Sequence, residues 1–185
     1  MAENHVCPVW IGYLLASPLR KLFQNPEKIL APFVKKGMTV MDIGSAMGFF
    51  SIPMAKMVGA NGKVVSVDLQ EKMLTSLKKK ATKAGLENRI ETRLCQNDTL
   101  AIDDFEEKID LVLAFAVVHE VPDTRAFFTE IYPVLKKGGT LLVAEPKGHV
   151  SDDDFKVTLG IAQDAGFKLV DNPGIHKSRT AVLQK

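Results

Sequence analysis

Four groups of residues have types and spacing suited to chemistry. The first is residues 40–50, VMDIGSAMGFF, where an apolar run carrying Asp42 breaks into Gly44-Ser45-Ala46-Met47-Gly48 before a second apolar segment. A strand, tight turn and helix of this kind directs backbone N–H groups and the positive end of a helix dipole at a ligand. That arrangement favours a negatively charged or carboxylate-bearing group. Gly44 and Gly48 permit positive φ and leave no Cβ between backbone and ligand. The second group is Asp68, which ends KVVSVD at 68 − 48 = 20 residues past the last glycine. An acid at the end of the second strand of a parallel sheet lies beside the first turn and can accept hydrogen bonds from the two hydroxyls of a ribose. The third is Gln96-Asn97-Asp98, polar residues that either receive the amino group of an adenine or make a turn. The fourth is His119-Glu120, where an imidazole of ordinary pKa ~6.5 suits a general base. A loop histidine bonded to backbone is the alternative. His149 lies near the same edge and is a weaker candidate for that base.

Positioning these groups takes an open sheet with helical crossovers. Strands are expected at residues 38–43, 63–67, 89–95, 109–118 and 140–144, with helices at 49–58, 70–84, 124–135 and 152–165 between and after them. The run 109–118 is almost continuously apolar, so it belongs in the middle of the sheet with both faces buried. Residues 167–170 and 178–183 flank an Asn172-Pro173-Gly174 turn too short for a crossover and are therefore antiparallel to one another. Residues 1–36 precede this unit, with Ser17-Pro18 and Asn25-Pro26 as two helix starts. The second carries Ile29, Leu30, Phe33 and Val34 at helical spacing, and Lys36-Gly37 closes it. Trp10 and Tyr13 either pack on the sheet edge or form a flap over the ligand cleft.

The chain has 185 residues, 46% hydrophobic and 25% charged, which is the composition of one globular domain. A net charge of +2 is too small to argue for nucleic acid, and Lys78-Lys79-Lys80 is read as a solvated helix face. The two cysteines, Cys7 and Cys95, have no metal-binding or disulfide spacing, and His5 with Cys7 lacks a third ligand, so no metal is expected. Residues 9–16 resemble a short signal core, but Glu3 precedes them, no Lys or Arg does, and Pro8 interrupts. No stretch has the length of a membrane span. The expected location is the cytoplasm, with free thiols.

The ordered set DIGSAMG, VVSVD, FAVVHEVPD and LKKGGTLLVAEP, closed by a terminal hairpin, resembles the class I S-adenosylmethionine-dependent methyltransferases. The resemblance covers residues 38–185. It implies an α/β, Rossmann-like sheet of seven strands, mostly parallel, with helices on both faces and an antiparallel C-terminal strand. It also implies two segments of one compact domain, an N-terminal helical cap (1–37) and a cofactor-binding unit (38–185). The implied cofactor-binding residues are Asp42, Gly44, Ser45, Ala46, Gly48 and Phe49 from the first turn, Asp68 and Leu69 from the second strand, Asn97 or Asp98 after the third, and Phe115 at the end of the fourth. For such a reaction His119 is the candidate catalytic base, on its residue type and its place after the fourth strand. Ala46 departs from the family, which usually has glycine there. The box Asn/Asp-Pro-Pro-aromatic of amide and exocyclic-amine methyltransferases is replaced by Ala114-Phe115-Ala116-Val117, which points away from DNA adenine and glutamine side chains. The expected reaction is methyl transfer from S-adenosylmethionine to a small molecule, by a monomer or homodimer. A nicotinamide-dependent oxidoreductase and a non-catalytic cofactor-binding scaffold are the alternatives.

Overall fold

A computed structural model describes residues 24–185, so Trp10, Tyr13, His5, Cys7 and the helix start at Ser17-Pro18 lie outside the described residues. The N-terminal helix α1 (Pro26–Leu30) is capped as its sequence predicts: the Asn25 side chain accepts from the Lys28 amide at 3.1 Å. It stops at Leu30 rather than running through Val34, and the chain continues in turns to Gly37 at φ +84. Leu30 and Val34 are nevertheless buried in the same cluster as Val40, Phe50 and Met54, so this segment shares the core.

Eleven further strands and α-helices follow in the expected order. They are β1 (Thr39–Ile43), α2 (Ser51–Met57), β2 (Lys63–Asp68), α3 (Glu71–Lys83), β3 (Ile90–Leu94), β4 (Ile109–Phe115), α4 (Thr124–Val134), β5 (Leu135–Pro146), α5 (Asp152–Asp164), β6 (Lys168–Asp171) and β7 (Ser178–Gln184). The sheet order is β3-β2-β1-β4-β5-β7-β6. Strands β3 through β5 pair in parallel, while β7 is inserted antiparallel between β5 and β6. β1 lies beside β2 on one side and β4 on the other, so the chain reverses its direction of sheet growth there. In open α/β sheets the ligand crevice forms at that switch, at the carboxyl ends of the strands.

Side chains alternate between the two faces of each strand, and two cores result. Met41, Val65, Val112 and Val143 pack with Phe128 and Ile131 of α4 and Phe155 of α5. Val40, Val64, Leu113 and Leu142 pack on the opposite face with Leu30 of α1 and Met54 of α2. Both faces of β4 are therefore buried, as its unbroken apolar run requires.

Two boundaries differ from the pattern in the sequence. β4 ends at Phe115, because Ala116 takes φ +57 and turns the chain into a single 3₁₀ turn, Val118–Glu120. The apolar run continues past the point where the strand stops. β5 begins at Leu135 rather than Thr140: Leu135 pairs with Ile109, and the register slips before Thr140 pairs with Leu111. The Gly138 amide and Gly139 carbonyl both bond to Lys185, so the expected turn becomes an irregular stretch of strand against the chain's last residue. No helix among the described residues is long and apolar enough to cross a membrane.

Candidate active site

The carboxyl ends of β1, β2, β3 and β4 surround a cavity of about 480 Å³, within the usual range of ~300–1,000 Å³ for small-molecule sites. The turn after β1 forms one wall. Four of its amides are engaged: those of Gly44 and Ser45 donate to the Val67 carbonyl, both at 3.0 Å, Gly48 donates to Ser45, and Ala46 donates to Asp68 Oδ2 at 2.7 Å. Helix α2 starts only at Ser51, and these four amides are spent within the turn and on β2 rather than turned toward a ligand. Gly44 is needed for closeness: at φ +72, a Cβ there would lie 2.9 Å from Val117 Cγ2. Gly48 is needed for packing, since its Cβ would lie 2.3 Å from Leu77 Cδ1 on α3. Lys80, from the lysine run of α3, donates to the Met47 carbonyl at 3.0 Å, and burial lowers its pKa. It ties down the turn and is not simply part of a solvated face.

Asp68 lies at the junction of this turn with β2. Its Oδ1 accepts from the Gln70 amide at 2.8 Å and its Oδ2 from Ala46, and the residue is 8% exposed. Burial raises its pKa despite the two amide bonds, which lower it. Each carboxylate oxygen retains capacity for a further donor, so the carboxylate is oriented by backbone and still able to receive two hydroxyls.

The residues expected at the site separate into two groups. Gly44, Ala46, Phe49, Asp68, Leu69 and Phe115 all line the cavity, as do Asn97 and Asp98. The last two form the tip of a tight turn closed by the Gln96–Thr99 bridge, so the turn and the ligand-facing position coincide. Asp42, Ser45, Gly48 and His119 do not line it. Asp42 is buried on the α2 side of β1 and accepts from the Ser51 hydroxyl at 2.5 Å. Ser45 is buried with its hydroxyl unpartnered among the described residues.

His119 stands behind the cavity wall. Its Nδ1 pairs with Glu145 Oε2, and this bond raises its pKa above the ordinary value. Its ring meets that of His149 edge-on at 5.5 Å, and its Nε2 lies 3.9 Å from Glu120 Oε1. Glu145, 1% exposed, also accepts the amides of Val117 at 3.1 Å and Val118 at 2.9 Å through Oε1. One carboxylate at the end of β5 thereby shapes the loop after β4 and holds the imidazole. Its position after LLVA at a strand end was the sequence signal for it, but nothing in that signal names the partner. Glu120, named in the sequence together with His119, also lines the cavity, and Glu130 and Cys95 are further lining residues that the sequence did not single out for the site. Glu130 accepts from the Leu100 amide at 2.8 Å and the Thr99 hydroxyl at 3.0 Å, fixing the loop after β3. Cys95 is pushed up to about 11 by burial and by Asp68, so it stays a neutral thiol. No cluster of three or more metal-ligating side chains occurs among the described residues.

A nucleoside with a positively charged tail fits this donor set. The Asp68 oxygens suit a ribose, the glycine-lined wall lets a chain pass close to backbone, and Leu69, Met73 and Phe115 offer apolar surface. Comparison with known proteins agrees. Residues 34–176 match the family model described as a methyltransferase domain. The chain is 31% identical to an arsenite methyltransferase of Halobacterium salinarum over 65% of its own length and 30% of that protein's. It is 31% identical to a demethylmenaquinone methyltransferase of Lactobacillus johnsonii over 75% of its length and 54% of that protein's. It thus spans between about a third and a half of the curated relatives it matches. Among solved structures, a SAM-dependent methyltransferase from Aquifex aeolicus superposes with a TM-score of 0.83 at 28% identity, covering 97% of this chain and 98% of that one. With the sheet order, the crevice at its switch point and a family match across most of its length, the chain belongs to the methyltransferase-domain family.

Proposed function

We propose that the protein transfers a methyl group from S-adenosylmethionine to a small-molecule acceptor. The observation that carries this reading is the Asp68 carboxylate, oriented by the Ala46 and Gln70 amides at the rim of the cavity beside the first turn. When bound, S-adenosylmethionine supplies a methyl carbon made electrophilic by its sulfonium. The protein's task is then orientation and exclusion of water. Asp68 holds the ribose, the Gly44–Ala46 wall admits the methionine portion, and Asn97 or Asp98 receives the adenine edge. Phe49 and Phe115 shield the reacting end. His119, paired with Glu145, is the base that finally takes the acceptor's proton; it reaches the cavity through Glu120.

Ala46 was the sequence hint for a non-catalytic scaffold. Its backbone takes φ +45, in the left-handed region that glycine enters readily, so the turn is made with a methyl present. Residues 38–185 are the cofactor-holding unit and 1–37 its cap, in a cytoplasmic protein acting on a diffusible acceptor, as a monomer or homodimer. Calorimetric titration with S-adenosylhomocysteine and, in parallel, NAD tests the proposal. One-to-one binding of the former alone, with Kd in the range of about 1–100 µM, is the expected result. Binding of NAD alone, or of neither, overturns it.

A further inference from the structure

The charge lining the cavity is of one sign. Asp68, Asp98, Glu120, Asp123 and Glu130 face it, and no Lys, Arg or His among the described residues does. Three of these acids are engaged by backbone amides: Asp68 by Ala46 and Gln70, Asp123 by Ala126 in capping α4, and Glu130 by Leu100. Asp98 is exposed on the tight turn after β3. Glu120 is different. It stands after β4, its side chain is 34% exposed, and its nearest charged neighbour is His119 Nε2 at 3.9 Å. Val117, Val121 and Pro122, its neighbours along the chain, line the same cavity. Burial raises its pKa, with His119 and His149 opposing that rise and Glu145 and Asp68 adding to it. No backbone amide bonds to this half-buried carboxylate, and its one ion-pair partner lies at 3.9 Å, beyond hydrogen-bond reach, so a cation bound in the cavity could approach it more closely.

Resting on the methyl-transfer reading, we propose that Glu120 is the acceptor-binding residue and that the acceptor is an amine on an apolar body, bound as its ammonium. With Asp68 and Asp98 given to the cofactor, an anionic acceptor would still meet Glu120, Asp123 and Glu130 and no cation in the described lining. Glu120 takes one proton from the ammonium, freeing the nitrogen lone pair. The N–CH₃ bond then forms as the C–S bond breaks with its electron pair remaining on sulfur, leaving a methylated ammonium, a neutral thioether and a protonated Glu120. His119 Nε2, held from behind by Glu145, is the outlet for that proton.

A matched trio of probes tests this: phenethylamine, 2-phenylethanol and phenylacetate, each titrated calorimetrically into protein saturated with S-adenosylhomocysteine. The amine is expected to bind at least about ten-fold more tightly than the carboxylate, the scale of one charge-assisted hydrogen bond. Glu120→Gln should erase that preference and Glu120→Asp, which keeps the charge, should retain most of it. Equal or tighter binding of phenylacetate, an undiminished amine preference in Glu120→Gln, or binding of none of the three overturns the inference. A second arm compares S-adenosylmethionine with S-adenosylhomocysteine. If Glu120→Gln changes their affinity ratio and leaves the amine preference intact, the cation served is the sulfonium and the amine assignment is wrong. Failure of the wild type to bind S-adenosylhomocysteine removes the methyl-transfer reading itself, whereas its binding without an amine preference removes this inference alone.

Discussion

Ala46 joins a side chain to a backbone φ of +45, a region that costs an L-residue with a Cβ roughly 1–2 kcal/mol. The surrounding bonds hold it there, its amide being fixed on Asp68 Oδ2. Ala46→Gly should therefore raise unfolding free energy by about 1 kcal/mol in a urea titration, part of the gain being lost to the greater freedom of glycine in the unfolded chain. No gain would mean that the turn is unstrained. His119 supplies a pH-dependent counterpart. Its folded-state pKa lies above 6.5 because of Glu145, so the pair stabilises the fold fully below about pH 6.5, and this contribution fades as pH rises through the raised value. Glu145→Gln leaves an oxygen for the Val117 and Val118 amides and removes the charge. The His119 resonance should titrate lower by NMR, and the stability gap between variant and wild type should be widest at acidic pH. An unmoved His119 titration would exclude Glu145 as its partner. His119 itself could be picked out from its sequence, but Glu145 could not be assigned to it, since the two are 26 residues apart and meet only where β4 and β5 run side by side.

At the scale of elements, the first turn depends on its fit to α3 as much as on its own residues. Gly48 at φ +85 lies against Leu77, which is fully buried, and a methyl there would require both backbone strain and movement of that side chain. Gly48→Ala is expected to cost about 2–4 kcal/mol, combining left-handed strain with overpacking. In a Leu77→Ala background the cost should shrink, because the clash is gone. Additive effects in the double-mutant cycle would place the constraint elsewhere. The glycine pattern in the sequence implied ligand contact at both positions, yet only Gly44 reaches the cavity. Glycine spacing reports that space is short and does not say what fills it.

Across the whole molecule, a ligand that binds only the folded state adds stability by mass action. S-adenosylhomocysteine at 100 times its Kd should add about 2.7 kcal/mol, or roughly 5–11 °C in the unfolding midpoint of a chain this size. An unchanged midpoint would contradict binding to the folded protein. The alternation of apolar residues, the capping signal at Asn25, and the spacing of Gly44, Gly48 and Asp68 were enough to determine the number of strands, their order in the chain and a ligand crevice at the carboxyl edge of the sheet. These are local features or consequences of short crossovers, so they are written in neighbouring residues. The tertiary structure alone decided where β4 stops, because the turn at Ala116 is fixed by the hydrogen bond its amide donates to the Ala144 carbonyl, 2.7 Å away on β5. It alone placed Asp42 against Ser51 and His119 behind Glu120, and it alone revealed that the described cavity lining carries only negative charge. Those outcomes depend on which strand ends meet, and side chains remote in sequence acquire a shared field only after the sheet has brought them together.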